Sequence, residues 1–266
     1  MSREAGRART APRVLVAMDG SAYGLAAVEA AVHLAAELGA EVLGLFVEDA
    51  NLLRLAGLPV AREVPLSCAA PRSLDPLAME RLLRAQADQV RQALAEAAAR
   101  VGVAWSFRVA RGHVVRASLE TAADLDLVVL GKENSAPQAP PPRFAPRARA
   151  SACPLLLVFD GSPSSRRALD TAAHLARTMD CQVVVVIETG DEDCEELTRR
   201  ATQPLEQAGV AVSVQPAVLR SAAQLIGEAR RTKAKLVLLS RCSDLLDEAT
   251  LELLVNELDC PVALVQ

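Results

Sequence analysis

The stretch that decides the fold is Cys153–Ala168, CPLLLVFDGSPSSRRA, because two parts of a repeated pattern meet inside it. Its first six residues resemble CPVALV, residues 260–265, at the end of the chain. Its FDGS, which precedes an alanine-containing helical pattern, resembles the MDGS of residues 18–21, so that Asp160 aligns with Asp19. A pattern that recurs in the same order predicts two related units in tandem.

Composition limits the classes of function. The chain has 266 residues, of which 51% are hydrophobic, and this is enough for two ordinary domain cores. A net charge of -4 argues against a general nucleic-acid binder, and 2% aromatic residues leave few rings on which bases could stack. We therefore expect no nucleic-acid partner.

The cysteines and the hydropathy pattern indicate the compartment. Six cysteines occur with three histidines and without a CxxC spacing, which predicts no metal site and reduced, mostly buried thiols. No apolar run is long enough to span a bilayer. The sequence thus predicts a soluble, cytoplasmic protein without a membrane partner.

Strand-like apolar runs alternate with helical patterns in both units. In the first unit the runs are residues 13–18, 40–47, 103–110 and 127–131, and in the second unit they are residues 155–159, 181–187, 210–218, 236–240 and the final run. Short continuous apolar runs are typical of strands that are buried on both faces of a parallel sheet. The fold class predicted is therefore α/β, with two tandem, open, Rossmann-like parallel sheets.

Only one apolar run stands at the junction, where two strands are expected. We assign residues 155–159 to the second unit, because the first strand of a doubly wound sheet lies in its centre. The first unit then lacks its fifth strand, and the prolines of residues 132–152 exclude its last helix. We expect the open edge at residues 127–131 to be covered by this proline-rich segment or by another chain.

The domains predicted from these boundaries are four. They are a disordered tail (residues 1–11), a first domain (12–131), a proline-rich linker (132–152) and a second domain (153–266). The segment 48–76, with three prolines, is predicted to be an irregular surface excursion.

The chain resembles the universal stress protein family. The resemblance rests on VAMDGS and its copy VFDGS, on the strand endings LVVLG and LVLLS, and on the closing CPVALV. It implies a strand order of 3-2-1-4-5 in each unit, a cytoplasmic stress-linked role and frequent dimerisation. It also implies two branches of the family, one that binds ATP and one that does not.

The loop after the fourth strand distinguishes these branches. ATP-binding members are similar in having G-x-x-G and a later G-S or G-T there, because glycines allow the backbone to approach the phosphates. In the first unit Gly131 is followed by Lys132-Glu133-Asn134 without a second glycine, and in the second unit residues 240–243 contain no glycine. The phosphate-binding loop is therefore predicted to be lost in both units.

Candidate nucleotide contacts remain at the ends of the first, second and fourth strands. The resemblance implies contacts at Asp19, Gly20, Ser21, Val47, Gly131, Asp160, Gly161 and Ser162. The alternative is structural, because Asp-Gly makes a strand-to-helix turn and the serine caps the helix.

Other polar residues have a structural interpretation beside a functional one. His33 and His174 lie in helices without a neighbouring nucleophile, which favours packing over catalysis. His113 follows a strand near the expected crevice and is a possible ligand contact. The arginines of the proline-rich segment, Arg143, Arg147 and Arg149, could reach phosphates or a partner, or could simply solubilise the linker.

Three classes of function follow. The first is a non-catalytic universal stress protein without a cofactor that acts through protein association, with itself as a pseudo-dimer or homodimer, or with another protein. The second is a switch that binds ATP with Mg and hydrolyses it slowly at most. The third is a nucleotide-handling enzyme such as an adenylyl transferase, but the H-x-G-H and S-G-G-x-D-S signatures are absent.

Overall fold

A computed structural model gives the architecture of the chain. It describes residues 12–18, 22–58, 60–63, 72–73, 75–122, 125–131, 154–188, 194–217, 219, 221–241 and 246–266. The α/β class predicted from the sequence is confirmed, because strands and helices alternate through both halves of the chain.

The first half contains six strands and four helices among its described residues. In chain order these are β1 (Arg13–Met18), α1 (Ala22–Leu38), β2 (Glu41–Asp49), α2 (Ala50–Ala56), β3 (Arg62–Glu63), β4 (Arg72–Ser73), α3 (Pro76–Val101), β5 (Trp105–Gly112), α4 (Val114–Thr121) and β6 (Leu127–Leu130). The segment 48–76 is therefore not wholly irregular. It contains α2, whose N-cap Asp49 accepts a hydrogen bond from the Asn51 amide, and the β3–β4 hairpin.

The second half repeats the alternation. Its elements are β7 (Leu155–Phe159), α5 (Pro163–Met179), β8 (Val183–Glu188), α6 (Cys194–Gln207), β9 (Val212–Ala217), α7 (Ala222–Thr232), β10 (Leu236–Ser240), α8 (Glu248–Glu257) and β11 (Val262–Val265). Pro204 lies inside α6 and does not end it, since the helix continues to Gln207.

Nine strands form one continuous sheet in the order β5-β2-β1-β6-β11-β10-β7-β8-β9. The first half contributes four strands in the order 3-2-1-4, and the second contributes five in the order 3-2-1-4-5. β7 pairs with β8 and β10, so this strand lies in the second half, where the sequence analysis assigned it. The two separate sheets expected from the sequence are therefore joined into one.

The joint is an antiparallel pair in an otherwise parallel sheet. β11 runs antiparallel to β6, with Val262 opposite Leu130 and Val265 opposite Leu127. The edge that the sequence analysis assigned to the proline-rich segment or to a second chain is instead completed by the last strand of the same chain. The proline-rich segment itself lies outside the described residues. β6 lacks a fifth-strand partner in its own half, and β11 has one free side, so their pairing satisfies both.

Helices cover both faces of the sheet. One layer contains α1, α3, α5 and α6, and the other contains α4, α7 and α8. Alternate residues of each central strand enter the two cores, as Val14 and Val16 do on one face and Leu15 and Ala17 on the other. This burial on both faces explains why the strands are continuous apolar runs.

Side-chain contacts reinforce the joint between the halves. His174 of α5, which is half-buried, lies with Nε2 2.8 Å from the Glu37 carbonyl oxygen at the end of α1. Arg167 Nε donates to the Gln266 carbonyl at 2.7 Å, and the Gln266 amide donates to the Asp126 carbonyl at 3.1 Å. The structure thus gives His174 a packing contact between the halves, while His33 is half-buried on α1.

Three of the six cysteines belong to the described residues. Cys181, Cys194 and Cys260 are reduced thiols of intermediate exposure rather than buried side chains. No helix in the described part of the chain has the length and apolar character needed to cross a membrane.

The joint predicts a pattern of amide hydrogen exchange. Amides of β6 and β11 lie in the middle of the sheet, and we expect them to exchange in the slowest class, with the amides of the edge strands β5 and β9 exchanging faster. Peptide-resolved hydrogen–deuterium exchange measures this order. Exchange of β6 as fast as that of β5 would contradict the antiparallel joint.

Candidate functional site

The candidate residues of the two halves lie at the carboxyl ends of their strands, and these ends are on opposite sides of the sheet. Ligands of open α/β sheets bind beyond the carboxyl ends of the strands. Because β6 and β11 are antiparallel, the carboxyl ends of the two halves point in opposite directions. Val47 and Gly131 therefore belong to one end, and Asp160, Gly161 and Ser162 belong to the other.

The loop after β7 uses its polar groups internally. The Asp160 carboxylate accepts a hydrogen bond from the Ser162 amide at 2.8 Å, and Ser162 Oγ accepts one from the Ser165 amide at 3.1 Å. Ser162 is thus the N-cap of α5, with Pro163 at the first turn. The structural interpretation of this DGS sequence accounts for both side chains.

The ionisation of Asp160 reflects the same contacts. Burial alone would raise the pKa of the carboxyl, but hydrogen bonds from Ser165 and Ser162 outweigh it and hold that pKa below its ordinary value. Asp160 is therefore a carboxylate held within its own turn at neutral pH.

Helix α6 closes over this loop. Gly161 has a φ of 79°, and a Cβ at this position would lie 2.6 Å from Leu197 Cδ2. Leu197 is 1% exposed, and Arg200 Nη2 donates to the Gly161 carbonyl at 2.7 Å. Side chains of α6 thus occupy the space directly against the glycine, where a ligand would otherwise approach the backbone.

Serine hydroxyls from different elements meet at the end of β10. Ser240 is 2% exposed, and its Oγ lies 3.3 Å from Oγ of Ser164, which is itself buried in the first turn of α5. Ser164 Oγ lies 3.0 Å from Ser162 Oγ. Three hydroxyls are therefore within hydrogen-bonding distance of one another between the end of β10 and the start of α5.

In the first half, only some of the candidate residues belong to the described part of the chain. Val47 is buried in β2, where it is paired with Ala110 of β5, and Gly131 is buried directly after β6. Asp19, Gly20 and Ser21 lie outside the described residues, as do Arg143, Arg147 and Arg149 of the proline-rich segment. His113 is exposed at the N-cap position of α4, and its side chain makes no capping hydrogen bond.

An ion pair at this end was missed by the sequence analysis. Glu48 of β2 is 7% exposed, and its Oε2 accepts a hydrogen bond from Arg111 Nε of β5 at 2.6 Å. The hydrogen bond from Arg111 to Glu48 raises the pKa of Arg111. The two residues are directly opposite in the parallel register, but this register is not visible in the sequence.

Leu197 and Arg200 were missed for the same reason. Their spacing on α6 is typical of any amphipathic helix, and only the packing of α6 brings them to Gly161. Among the described residues, no group of three or more histidine, cysteine or acidic side chains is placed to bind a metal ion.

The sequence of the first half matches a known protein family. The model of the Universal stress protein family matches residues 11–138. The N-terminal half of the chain therefore matches this family. A search of curated proteins finds no match.

Solved structures of universal stress proteins are similar to the whole chain or to part of it. A universal stress protein from Archaeoglobus fulgidus is 13% identical, with 96% of each chain covered and a TM-score of 0.59. A putative universal stress protein from Pseudomonas aeruginosa is 12% identical over 96% of this chain and 93% of its own, with a TM-score of 0.46. A family member from Burkholderia pseudomallei is 25% identical over 42% of this chain and 94% of its own, with a TM-score of 0.32. The first of these shows that the fold extends over both halves.

Substitution of Gly161 tests the closure by α6. Gly161→Ala adds both a left-handed backbone cost and a contact with Leu197, and we expect it to lower the free energy of unfolding by about 2–4 kcal/mol. Gly209→Ala is the matched control, because Gly209 has a φ of 72° with nothing within 4 Å of its added Cβ, and it should cost only ~1 kcal/mol. Urea denaturation measures both, and equal losses would show that α6 does not close over Gly161.

The Asp160 carboxylate predicts a pH dependence of stability. Its pKa in the folded state is below the unfolded value of about 3.9, so its charge stabilises the fold above that pH and the contribution is lost as the pH falls through the folded pKa. Asp160→Asn keeps an acceptor for the Ser162 amide but removes the charge. We expect the variant to be less stable than the wild type at pH 7 and the difference to shrink as the pH is lowered to about 3. A difference that stays constant with pH in urea titrations would contradict this.

Proposed function

We propose that this chain is a non-catalytic universal stress protein that acts in the stress response through protein association. The match of residues 11–138 to the family supports the stress-response role. The observation that supports association over nucleotide chemistry is the closed loop after β7, where Leu197 and Arg200 lie against Gly161 and Asp160 is bound within its own turn. In the described part of the loop after β7, the α6 side chains lie where a cofactor would approach the backbone of Gly161.

The proposal includes the compartment and the self-association. We infer that the protein works in the cytoplasm, as the family resemblance implies. The antiparallel β6–β11 joint supports the idea that the two halves act as a pseudo-dimer within one chain, because strands of different halves pair there as subunits of a dimer would. A homodimer of the whole chain remains part of the proposal.

An adenine-nucleotide switch is the competing function. The observation that favours it is Gly131, which is retained directly after β6 at the end of the sheet where α6 does not reach. Such a switch would bind ATP with Mg at the first half only, because the loop after β7 in the second half is closed.

Binding of ATP separates the two functions. A ligand bound only by the folded state at about a hundred times its Kd adds ~2.7 kcal/mol of stability. We expect millimolar ATP with magnesium to leave the melting temperature unchanged, and equilibrium dialysis with labelled ATP to show no retention. An ATP-binding universal stress protein measured in parallel is the positive control.

The opposite results would overturn the non-catalytic proposal. These are a rise in the melting temperature with ATP, or nucleotide released from the purified protein on heat denaturation. Loss of such a rise in a Gly131→Val variant would then assign the nucleotide to the first half.

A further inference from the structure

The edge strand β5 presents an uncovered apolar row. Trp105, Phe107 and Val109 lie on the same face of β5, because side chains two residues apart share a face of a strand. Phe107 packs against the core on this face, but Trp105 is 37% exposed and Val109 is 51% exposed. β5 is an edge strand of the nine-stranded sheet, so the backbone groups on its outer side have no strand partner within the described sheet.

The position of α3 explains why the row is open. α3 approaches β2 so closely that a Cβ on Gly44 would lie 2.6 Å from Leu94 Cδ2 and 3.0 Å from Phe107 Cδ2. The helix packs most extensively against α1, and it contacts β2 and β5 to a lesser extent. The outer part of β5 is therefore left without the cover that the inner strands receive.

The two helices next to β5 also carry exposed leucines. α2 contacts both α3 and β5. It carries Leu55, which is 50% exposed, and α3 carries Leu82, which is 52% exposed. We call Trp105, Phe107 and Val109 the β5 surface.

The equivalent edge of the second half has no exposed apolar row among its described residues. β9 is the other edge strand of the sheet, but its Val212 and Val214 pack against the core and α6 lies against the strand. Among the described residues, Leu253 of α8 is the one large hydrophobic side chain of the second half that is exposed, while eight are exposed in the first half. The open apolar edge is therefore specific to the first half and does not follow from the fold alone.

The charged side chains of α2 and β5 themselves are positive, while the neighbouring α3 carries Glu80 as well as arginines. Arg108 is exposed on the opposite face of β5, and Arg54 is exposed on α2. Arg111 is paired with Glu48. The sequences of α2 and β5 contain these three arginines and no acidic residue. Within the described part of the chain, neither Arg54 nor Arg108 forms an ion pair, so both are available to a partner's carboxylates.

We propose that β5 binds an extended segment of another protein in which apolar and acidic side chains alternate, and which adds a tenth strand to the sheet. This deepens the proposed association function and rests on it for its biological role. The backbone of the segment would pair with the free edge of β5. Its apolar side chains would face Trp105, Phe107 and Val109, and its acidic side chains would face Arg108 on the other side of the sheet.

Two other occupants fit the surface less well. A second copy that paired its own β5 in antiparallel fashion, with the two-fold axis between the two strands beside Arg108, would bring Arg108 close to its symmetry mate. Like charges in such a pair are destabilising. An anionic membrane offers negative charge but no strand backbone for the edge of β5. Both occupants are outcomes of the test below.

Trp105 supplies the signal for the experiment, because it is the one tryptophan of the chain and lies on the β5 surface. The peptide acetyl-Val-Glu-Val-Asp-Ile-Glu-Val-amide is titrated into the full-length protein while tryptophan emission is recorded. We expect saturable binding with a shift of emission to shorter wavelength. A peptide of the same composition without alternation, and one with alternate backbone amides N-methylated, should bind at least about tenfold more weakly.

Two substitutions test the two faces of β5. Val109→Asp places a charge in the apolar row, and Arg108→Glu reverses the charge on the opposite face. Each should weaken the acidic peptide by about tenfold or more, and Arg108→Glu should regain affinity for a peptide with lysine in place of the acidic residues. Leu253→Asp is the control, because it changes an exposed apolar residue of the second half and should leave binding unchanged. Melting curves identify any variant that does not fold, and the charge-swap pair keeps the test valid if Val109→Asp fails.

Several results would overturn the inference. They are absence of peptide binding, binding that Arg108→Glu and Val109→Asp do not alter, a tryptophan shift caused only by anionic phospholipid vesicles, or self-association in light scattering that Val109→Asp abolishes. The ATP measurements are independent of these. Nucleotide binding with intact peptide binding would overturn the proposed function alone, and failure of the peptide without nucleotide binding would overturn only the assignment of the β5 surface.

Discussion

The antiparallel pairing of β6 with β11 is the constraint on which the rest of the structure depends. A four-stranded half ends in β6, whose outer side needs a partner, and a five-stranded half ends in β11. An exposed edge in the centre of the molecule would leave a row of unsatisfied backbone groups. Their pairing removes both edges at once and makes one sheet from two incomplete or open ones. The remaining free edges, β5 and β9, are therefore placed as far apart as the sheet allows.

The direction of this pair also determines where ligands or partners can bind. Parallel strands within each half bring their carboxyl ends together, but the antiparallel joint turns the two sets of ends away from each other. Val47 and Gly131 of the first half consequently cannot share a site with Asp160, Gly161 and Ser162 of the second half. Any site must therefore be formed by the residues of one half. In the second half, Leu197 and Arg200 lie against the loop after β7, next to the hydroxyls of Ser162, Ser164 and Ser240.

The two halves have diverged most at their outer strands. In the second half α6 covers β9, and the same helix closes the Gly161 loop, so one packing event explains both features. In the first half α3 lies against α1 and β2, and β5 keeps an apolar row beside exposed arginines. The two halves therefore differ in which of their surfaces are covered by helices, although they share the same order of strands.

The sequence by itself determined the local structure of this protein. Apolar runs such as Leu155–Phe159 are continuous because both faces are buried, and Ser162 followed by Pro163 marks a helix start, so strands, helices and the α/β class could be predicted. The repeated DGS also located the candidate site residues. Only the tertiary structure decided that β11 completes the first half, that Leu197 and Arg200 close over Gly161, and that Glu48 pairs with Arg111. These contacts join residues far apart in the chain, and their geometry depends on strand direction and helix position, for which local residue patterns carry no signal.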